Sequence, residues 1–138
     1  MKEIAARAFT VGVWLVGLSV LLQVLLAGLG VFTDPSFFFW HAAVNSTVVG
    51  LLPLLLVLVG WFAGVPVRIR WLCAAVTGLV VVQSLLLFPY HMNAQGALRA
   101  ISSLHVLNAI FIFWVALTLL ERTRAWSQGG TVVIEERP

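Results

Sequence analysis

The sequence predicts an all-α integral membrane protein, a four-helix bundle that crosses the bilayer in up-down-up-down order. Of its 138 residues, 62% are hydrophobic and only 9% are charged, whereas soluble domains carry roughly a quarter charged residues. The apolar residues fall into four segments, at about residues 9–31, 37–62, 67–88 and 97–120. Each has at least the roughly 20 residues that a helix needs to cross a hydrocarbon core of about 30 Å. Lipid leaves backbone groups unpaired unless the chain pairs them itself, so each segment is predicted to be a helix.

Short polar breaks separate the segments and indicate one domain, residues 1–125, followed by a polar tail, residues 126–138. Asp34-Pro35 forms a turn before the second segment, and Gly64 and Pro66 mark the next break. Because these connections are short, successive helices are predicted to be antiparallel neighbours. Glycines within the segments are predicted to permit close approach between helices: Gly17, Gly28, Gly30, Gly50 and Gly78.

Basic residues predict the orientation of the bundle. They precede the first segment, separate the second from the third, and follow the fourth: Lys2, Arg7, Arg68, Arg70, Arg122 and Arg124. All six fall on one side, which the positive-inside rule makes cytoplasmic. Both termini are therefore expected in the cytoplasm, with the protein a multi-pass component of the cell membrane, the inner membrane of a bacterium. The basic residues flank apolar segments and form no stripe, which excludes a nucleic-acid partner.

A degenerate repeat runs through the four segments. The first carries Gln23 in LLQVLLAG and the third carries Gln83 in VVQSLLLF, while the second carries His41 and the fourth His105. A glutamine-bearing helix followed by a histidine-bearing helix is thus used twice. Such a parallel repeat predicts a pseudo-two-fold axis along the membrane normal.

The two histidines are the candidate metal ligands, and haem iron is the favoured metal. Helical rise places His41 about 8 Å and His105 about 12 Å below the outer ends of their helices, so both lie in one layer of the outer leaflet. The second and fourth helices are diagonal, with axes about 14 Å apart, close to what two imidazoles and one iron require. A bare zinc or copper ion would need more ligands, and no carboxylate or cysteine is expected at this depth. Two alternatives remain open: polar contacts between helices, and another ligand or proton site.

Other polar residues are predicted to support the haem site. A metal-bound imidazole usually donates its second N–H to a polar group. Candidates for these contacts lie near the histidines in the predicted bundle: Asn45, Asn108, Gln23 and Gln83. Arg99, before His105 at the outer mouth, is predicted to pair with a haem propionate, the alternative being a simple interfacial anchor.

The order of these residues resembles one four-helix half of haem A synthase. The likeness rests on Gln23, on Gly28 and Gly30, on the two histidines and on Gln83. In that family each half carries a histidine pair on its second and fourth helices, which implies a bis-histidine haem site on His41 and His105. The chain also resembles small bacterial four-helix membrane proteins in which LHxxNA recurs on the last helix, here residues 104–109. This chain has one half rather than two, and the family's extracellular catalytic glutamate has no counterpart in it.

The predicted function is electron transfer by one haem b near the outer face of the membrane, rather than catalysis by the chain alone. Iron with two axial histidines has no open position for a substrate. The expected partners are the lipid bilayer and either a quinol or an outer-face redox protein, with the chain a homo-oligomer or a subunit of a larger complex. The alternatives are a cofactor-free structural or assembly subunit and a small transporter.

Overall fold

The computed structural model describes the backbone of residues 1–132 and the side chains of residues 1–129, and helices account for nearly all of it. The helices are α1 (Lys2–Phe32), α2 (Phe37–Ala63), α3 (Val67–His91), α4 (Gly96–Ile101) and α5 (Leu104–Val132). Four stretches are long and apolar enough to cross a membrane: α1, α2, α3, and α4 together with α5. The prediction of an all-α, multi-pass membrane protein is confirmed.

The helices extend beyond the predicted apolar segments. The fourth segment is divided at Ser102 and Ser103 into the short α4 and the long α5. Helix α5 then continues to Val132, so the first part of the predicted polar tail is helical. The rest of that tail, residues 133–138, lies outside the described residues.

The turn between α1 and α2 is closed by a polar contact. The carboxylate of Asp34 accepts a hydrogen bond from the backbone N–H of Ser36 at 2.7 Å. This contact holds the pKa of Asp34 below its usual range, because a donated hydrogen bond favours the ionised carboxylate. The break predicted from Asp34-Pro35 is therefore a stabilised turn.

The long helices form a square in which sequence neighbours pack side by side. Helix α1 contacts α2 and α5, and α3 contacts the same two helices. Within the described residues, α1 and α3 have no Cα atoms within 8 Å of each other, and neither do α2 and α5. Those two pairs are the diagonals, so the helices that carry His41 and His105 face each other across the bundle.

The buried positions show that the bundle consists of two related halves. Five buried residues of α1 each have a buried counterpart on α3 at a constant offset of 60 positions: Phe9, Val13, Val16, Val20 and Gln23 match Ile69, Cys73, Val76, Val80 and Gln83. Four buried residues of α2 match buried residues of α5 that lie 63 positions later: Val49, Pro53, Leu56 and Gly60 match Ile112, Ala116, Leu119 and Thr123. The repeat predicted from two glutamines and two histidines therefore extends along the whole core.

A π-helical segment, Asn45–Leu51, interrupts α2 just before Pro53. His41 lies eight positions before buried Val49, whereas His105 lies only seven positions before buried Ile112. In an α-helix one additional residue would rotate His41 by about 100° relative to the buried stripe. A π-helical turn accommodates one additional residue, so this segment returns His41 to the face that His105 occupies on α5.

Only some of the predicted glycines permit close approach. A Cβ atom at Gly30 would lie 2.9 Å from the ring of Phe38, and one at Gly50 would lie 3.1 Å from Val80. At Gly17, Gly28 and Gly78 a Cβ would meet nothing within 4 Å, so the prediction was wrong for these three. Gly12 and Gly60, which the sequence did not single out, are also in close contact with a neighbouring helix.

Candidate functional site

A cavity of about 250 Å³ lies among α1, α2, α3 and α5, in the half of the bundle that holds the α1–α2 turn. Five of its lining residues are polar: Gln23, His41, Asn45, Gln83 and His105. The other eight are apolar: Val20, Val24, Ala27, Val49, Val106, Ala109, Ile112 and Phe113. Five of the seven residues that the sequence predicts for a haem site thus line one cavity.

The first glutamine–histidine pair joins α1 to α2. The side-chain amide of Gln23 donates to the main-chain oxygen of His41 at 3.0 Å. The Nδ1 atom of His41 lies 3.1 Å from the main-chain oxygen of Gln23. Two reciprocal contacts therefore join the helices, and the second of them orients the His41 ring. The Nε2 atom of His41 has no hydrogen bond within the described residues.

The second pair joins α3 to α5 through side chains. The Nε2 atom of Gln83 lies 2.5 Å from Nδ1 of His105. Asn108 supports this contact, because its amide donates to Oε1 of Gln83 at 2.6 Å and to the main-chain oxygen of Leu79 at 2.9 Å. As with His41, the Nε2 atom of His105 has no hydrogen bond within the described residues.

The two asparagines that follow the histidines have different surroundings. Asn45 lines the cavity, and its side chain makes no hydrogen bond within the described residues. Asn108 is buried behind Gln83 and does not line the cavity. The Oε1 atom of Gln23 is buried and, within the part of the chain that the structure describes, also has no partner. Polar groups without hydrogen-bond partners among the described residues therefore lie near His41, on α1 and α2.

Two polar residues of the connection between α3 and α5 lie away from the cavity. The guanidinium of Arg99 stacks over the ring of Tyr90, 5.2 Å from its centroid, and Arg99 does not line the cavity. Its pairing with a propionate stays a prediction. His91 is exposed and packs edge-on against Tyr90, which makes it a convenient control for the two cavity histidines.

The cavity opens toward lipid between α1 and α5. Val24 on α1 is 68% exposed and Val106 on α5 is 59% exposed, although both line the cavity. A second cavity of about 200 Å³ continues along the same seam and shares Val20 and Phe113 with the first. Its lining is otherwise formed by Trp14, Gly17, Leu18, Leu21, Ala116, Leu117 and Leu120. The histidine cavity thus adjoins an apolar groove between the same two helices.

The site offers two imidazoles and no acidic ligand. Within the described residues, no three His, Cys, Asp or Glu side chains are grouped as they would be around a bare metal ion. Neutral imidazole nitrogens bind transition metals, including haem iron, and they also donate and accept protons. Two imidazoles on one cavity can therefore bind a metal or transfer protons.

Sequence reasoning identified the polar residues of this site and missed its apolar lining. Ala27 and Ala109 lie beside the histidines in the lining, and Val20 and Phe113 line both cavities. In the sequence these residues look like any other apolar residue of a membrane helix, so no local signal distinguishes them. Only the rotation of each helix against its neighbours reveals them.

Comparison with known proteins gives one similarity. Residues 23–89 match the sequence model of a family of unknown function, DUF6220. The matched region begins at Gln23, includes His41 and Gln83, and ends before His105. No curated protein and no solved structure matches the chain.

Proposed function

We propose that the protein binds one haem b between His41 and His105 and transfers electrons near the outer face of the membrane. The observation that carries the proposal is the placement of both histidines, from diagonal helices, on one cavity. Each ring has its Nδ1 atom engaged by a glutamine. Nε2 is the remaining nitrogen of each ring and the proposed ligand atom. At His41, where Nδ1 contacts a carbonyl oxygen, this is the usual arrangement of a metal-bound imidazole.

The cavity suits a flat group that lies partly within the bundle. Its volume of about 250 Å³ is slightly below the roughly 300–1,000 Å³ of typical small-molecule sites. The exposed lining residues Val24 and Val106 show that the cavity is open on one side, so a bound group need not be fully enclosed. Bound haem would supply a one-electron couple, and two protein axial ligands would leave no open position for a substrate.

The proposed electron donor is a lipid-soluble quinol, with an outer-face redox protein as the alternative. The opening between α1 and α5 supports the quinol, because the histidine cavity is open there and adjoins an apolar groove in contact with lipid. In this proposal the protein lies in a bacterial cell membrane with both termini in the cytoplasm, as its basic residues predict. It acts as a homo-oligomer or as a subunit of a larger membrane complex.

A cofactor-free structural or assembly subunit is the second candidate. The same glutamine–histidine contacts support it, because each joins two neighbouring helices. Such hydrogen bonds stabilise helix association in membranes by roughly 0.6 kcal/mol on average. The two candidates differ in whether the imidazole Nε2 atoms bind a metal.

Optical spectra of the purified protein, oxidised and then reduced, separate the two candidates. With adequate haem supply during expression, we expect low-spin haem bands that shift on reduction. His41→Ala and His105→Ala should each abolish low-spin coordination, because each removes one of two axial ligands. His91→Ala is the matched control and should leave the spectrum unchanged, since His91 lies outside the cavity. Wild-type protein without haem bands would overturn the proposal in favour of the structural subunit.

A further inference from the structure

The two cavity histidines have partners of opposite hydrogen-bonding character. His41 Nδ1 lies 3.1 Å from the main-chain oxygen of Gln23. A carbonyl oxygen only accepts hydrogen bonds, so Nδ1 of His41 must carry the hydrogen. A neutral imidazole has a single N–H, and therefore Nε2 of His41 holds an unprotonated lone pair.

The partner of His105 is fixed by a chain of hydrogen bonds that begins at Leu79. The Nδ2 atom of Asn108 lies 2.9 Å from the main-chain oxygen of Leu79, and this acceptor determines which way the Asn108 amide points. The same Nδ2 atom lies 2.6 Å from Oε1 of Gln83, so the oxygen of Gln83 faces Asn108. The amide nitrogen of Gln83 must then face Nδ1 of His105.

An amide nitrogen donates and does not accept hydrogen bonds. Nδ1 of His105 is therefore the acceptor, and in a neutral ring the hydrogen is on Nε2. This is the reverse of His41, although the two residues occupy equivalent places in the repeat. The difference arises because the α1–α2 pair uses a main-chain carbonyl where the α3–α5 pair uses a side-chain amide.

We infer that His41 and His105 are held in opposite tautomers and that Gln83 is a positioning residue which controls the availability of His105 as a ligand. His41 presents a free lone pair at Nε2, whereas His105 presents an N–H. For His105 to bind a metal through Nε2, its hydrogen must move to Nδ1. Gln83 must then turn its carboxamide so that the oxygen accepts this hydrogen, at the expense of the bond from Asn108.

The assignment of tautomers is independent of the proposed function, while the consequence for haem rests on it. His41 is the ligand that is ready before haem arrives, and His105 becomes available when Gln83 turns. A carboxylate at position 83 would remove this restriction, because both of its oxygens accept hydrogen bonds. One oxygen would keep the contact with Asn108 and the other would accept from Nδ1 of His105.

Nitrogen-15 NMR of the haem-free protein, labelled at histidine, tests the tautomers directly. We expect Nδ1–H at His41 and Nε2–H at His105, with signals assigned through the loss of one signal in each single histidine variant. Gln83→Glu should protonate Nδ1 of His105. Gln95→Glu is the matched control and should leave both rings unchanged, because Gln95 is exposed and lies outside the cavity. Finding Nδ1–H at both histidines of the wild-type protein would overturn the inference.

Haem titration of the same proteins tests the consequence for ligation. We expect Gln83→Glu to bind haem about tenfold more tightly than wild type, in the range by which outer contacts change metal affinity. Gln95→Glu should not show this gain. Equal affinity in wild type and Gln83→Glu would refute the positioning role. Failure of every variant to bind haem would count against the proposed function and leave the NMR result to decide the tautomers.

Discussion

Individual polar residues in this bundle differ in how completely they are satisfied. Asn108 makes two hydrogen bonds between α5 and α3, to the main chain of Leu79 and to the side chain of Gln83. Asn45, the equivalent residue on α2, makes none with its side chain within the described residues. The two halves thus share residue types while only one of them uses its asparagine as a structural support.

Asn108→Ala should destabilise the folded protein by about 1–2 kcal/mol, since it removes two hydrogen bonds and leaves a buried Gln83 oxygen without its donor. The free energy of unfolding in detergent micelles measures this effect. It should also release Gln83, which no longer has a partner that fixes its orientation.

Asn45→Ala provides the matched control for Asn108→Ala. Its expected effect on the free energy of unfolding is within about 0.5 kcal/mol, the range for substitutions that break no specific interaction. An Asn45→Ala variant as unstable as Asn108→Ala would contradict the hydrogen-bond pattern described for the two halves.

At the scale of elements, the π-helical segment of α2 explains how two unequal spacings produce one site. His41 is one position farther from the core stripe than His105 is. Pro53 follows the segment closely, and a proline lacks the N–H that would complete a regular helical turn before it. The segment therefore lies where the regular hydrogen-bond pattern is already interrupted.

Deletion of Thr47 tests the role of the π-helical segment. The exposed Thr47 lies within the segment, and its deletion leaves seven positions between His41 and Val49, as on α5. We expect α2 to become a regular α-helix with His41 still on the cavity. The variant should fold, and its unfolding temperature should lie within a few degrees of the wild-type value. Its haem spectrum should equal that of wild type.

The matched deletion on α5 removes Ile110, which is also exposed and lies between His105 and Ile112. No π-helical turn is present in this described part of α5, so His105 should rotate by about 100° away from the core stripe. We expect this variant to lose low-spin haem coordination and to unfold at a clearly lower temperature. If both deletions were tolerated equally well, the π-helical segment could not be what accommodates the additional residue of α2.

At the scale of the whole molecule, the seam between α1 and α5 holds two adjacent cavities. Helices α1 and α5 come from the two ends of the chain and border both cavities. Gly17 contributes to the opening, because a Cβ there would meet nothing within 4 Å. In the proposed function this seam is the path of the quinol, with its apolar chain along the groove and its ring at the histidines.

Gly17→Leu should fill the second cavity, which Gly17 lines. We expect reduction of the bound haem by a quinol to be at least tenfold slower, because the larger side chain occupies the proposed quinol path. Reduction by dithionite should be unchanged, since a small soluble reductant does not require this groove. Stopped-flow spectroscopy at the reduced haem band measures both rates.

Gly78→Leu is the control for Gly17→Leu. A Cβ atom at Gly78 would also meet nothing within 4 Å, and Gly78 lies on α3 away from both cavities. Its quinol and dithionite rates should equal those of wild type. If Gly17→Leu reacts with quinol as fast as this control, electrons reach the site by another route.

The amino-acid sequence alone predicts the membrane class, the four spanning helices and the pairing of a glutamine helix with a histidine helix. These properties depend on segment length, hydropathy and the cost of polar groups in lipid, which are local. It also placed His41 and His105 on diagonal helices, since short connections make successive helices neighbours.

Which atoms contact one another within that framework depends on the packing of the helices, which the tertiary structure shows. Asn108 contacts Leu79 and Gln83. Arg99 stacks on Tyr90, and the main-chain oxygen of Gln23 contacts the His41 ring. The tertiary structure also reveals the π-helical segment that corrects the position of His41. These features depend on how helices distant in sequence rotate and pack against one another, and a difference of one residue or one rotamer changes the partner of a hydrogen bond.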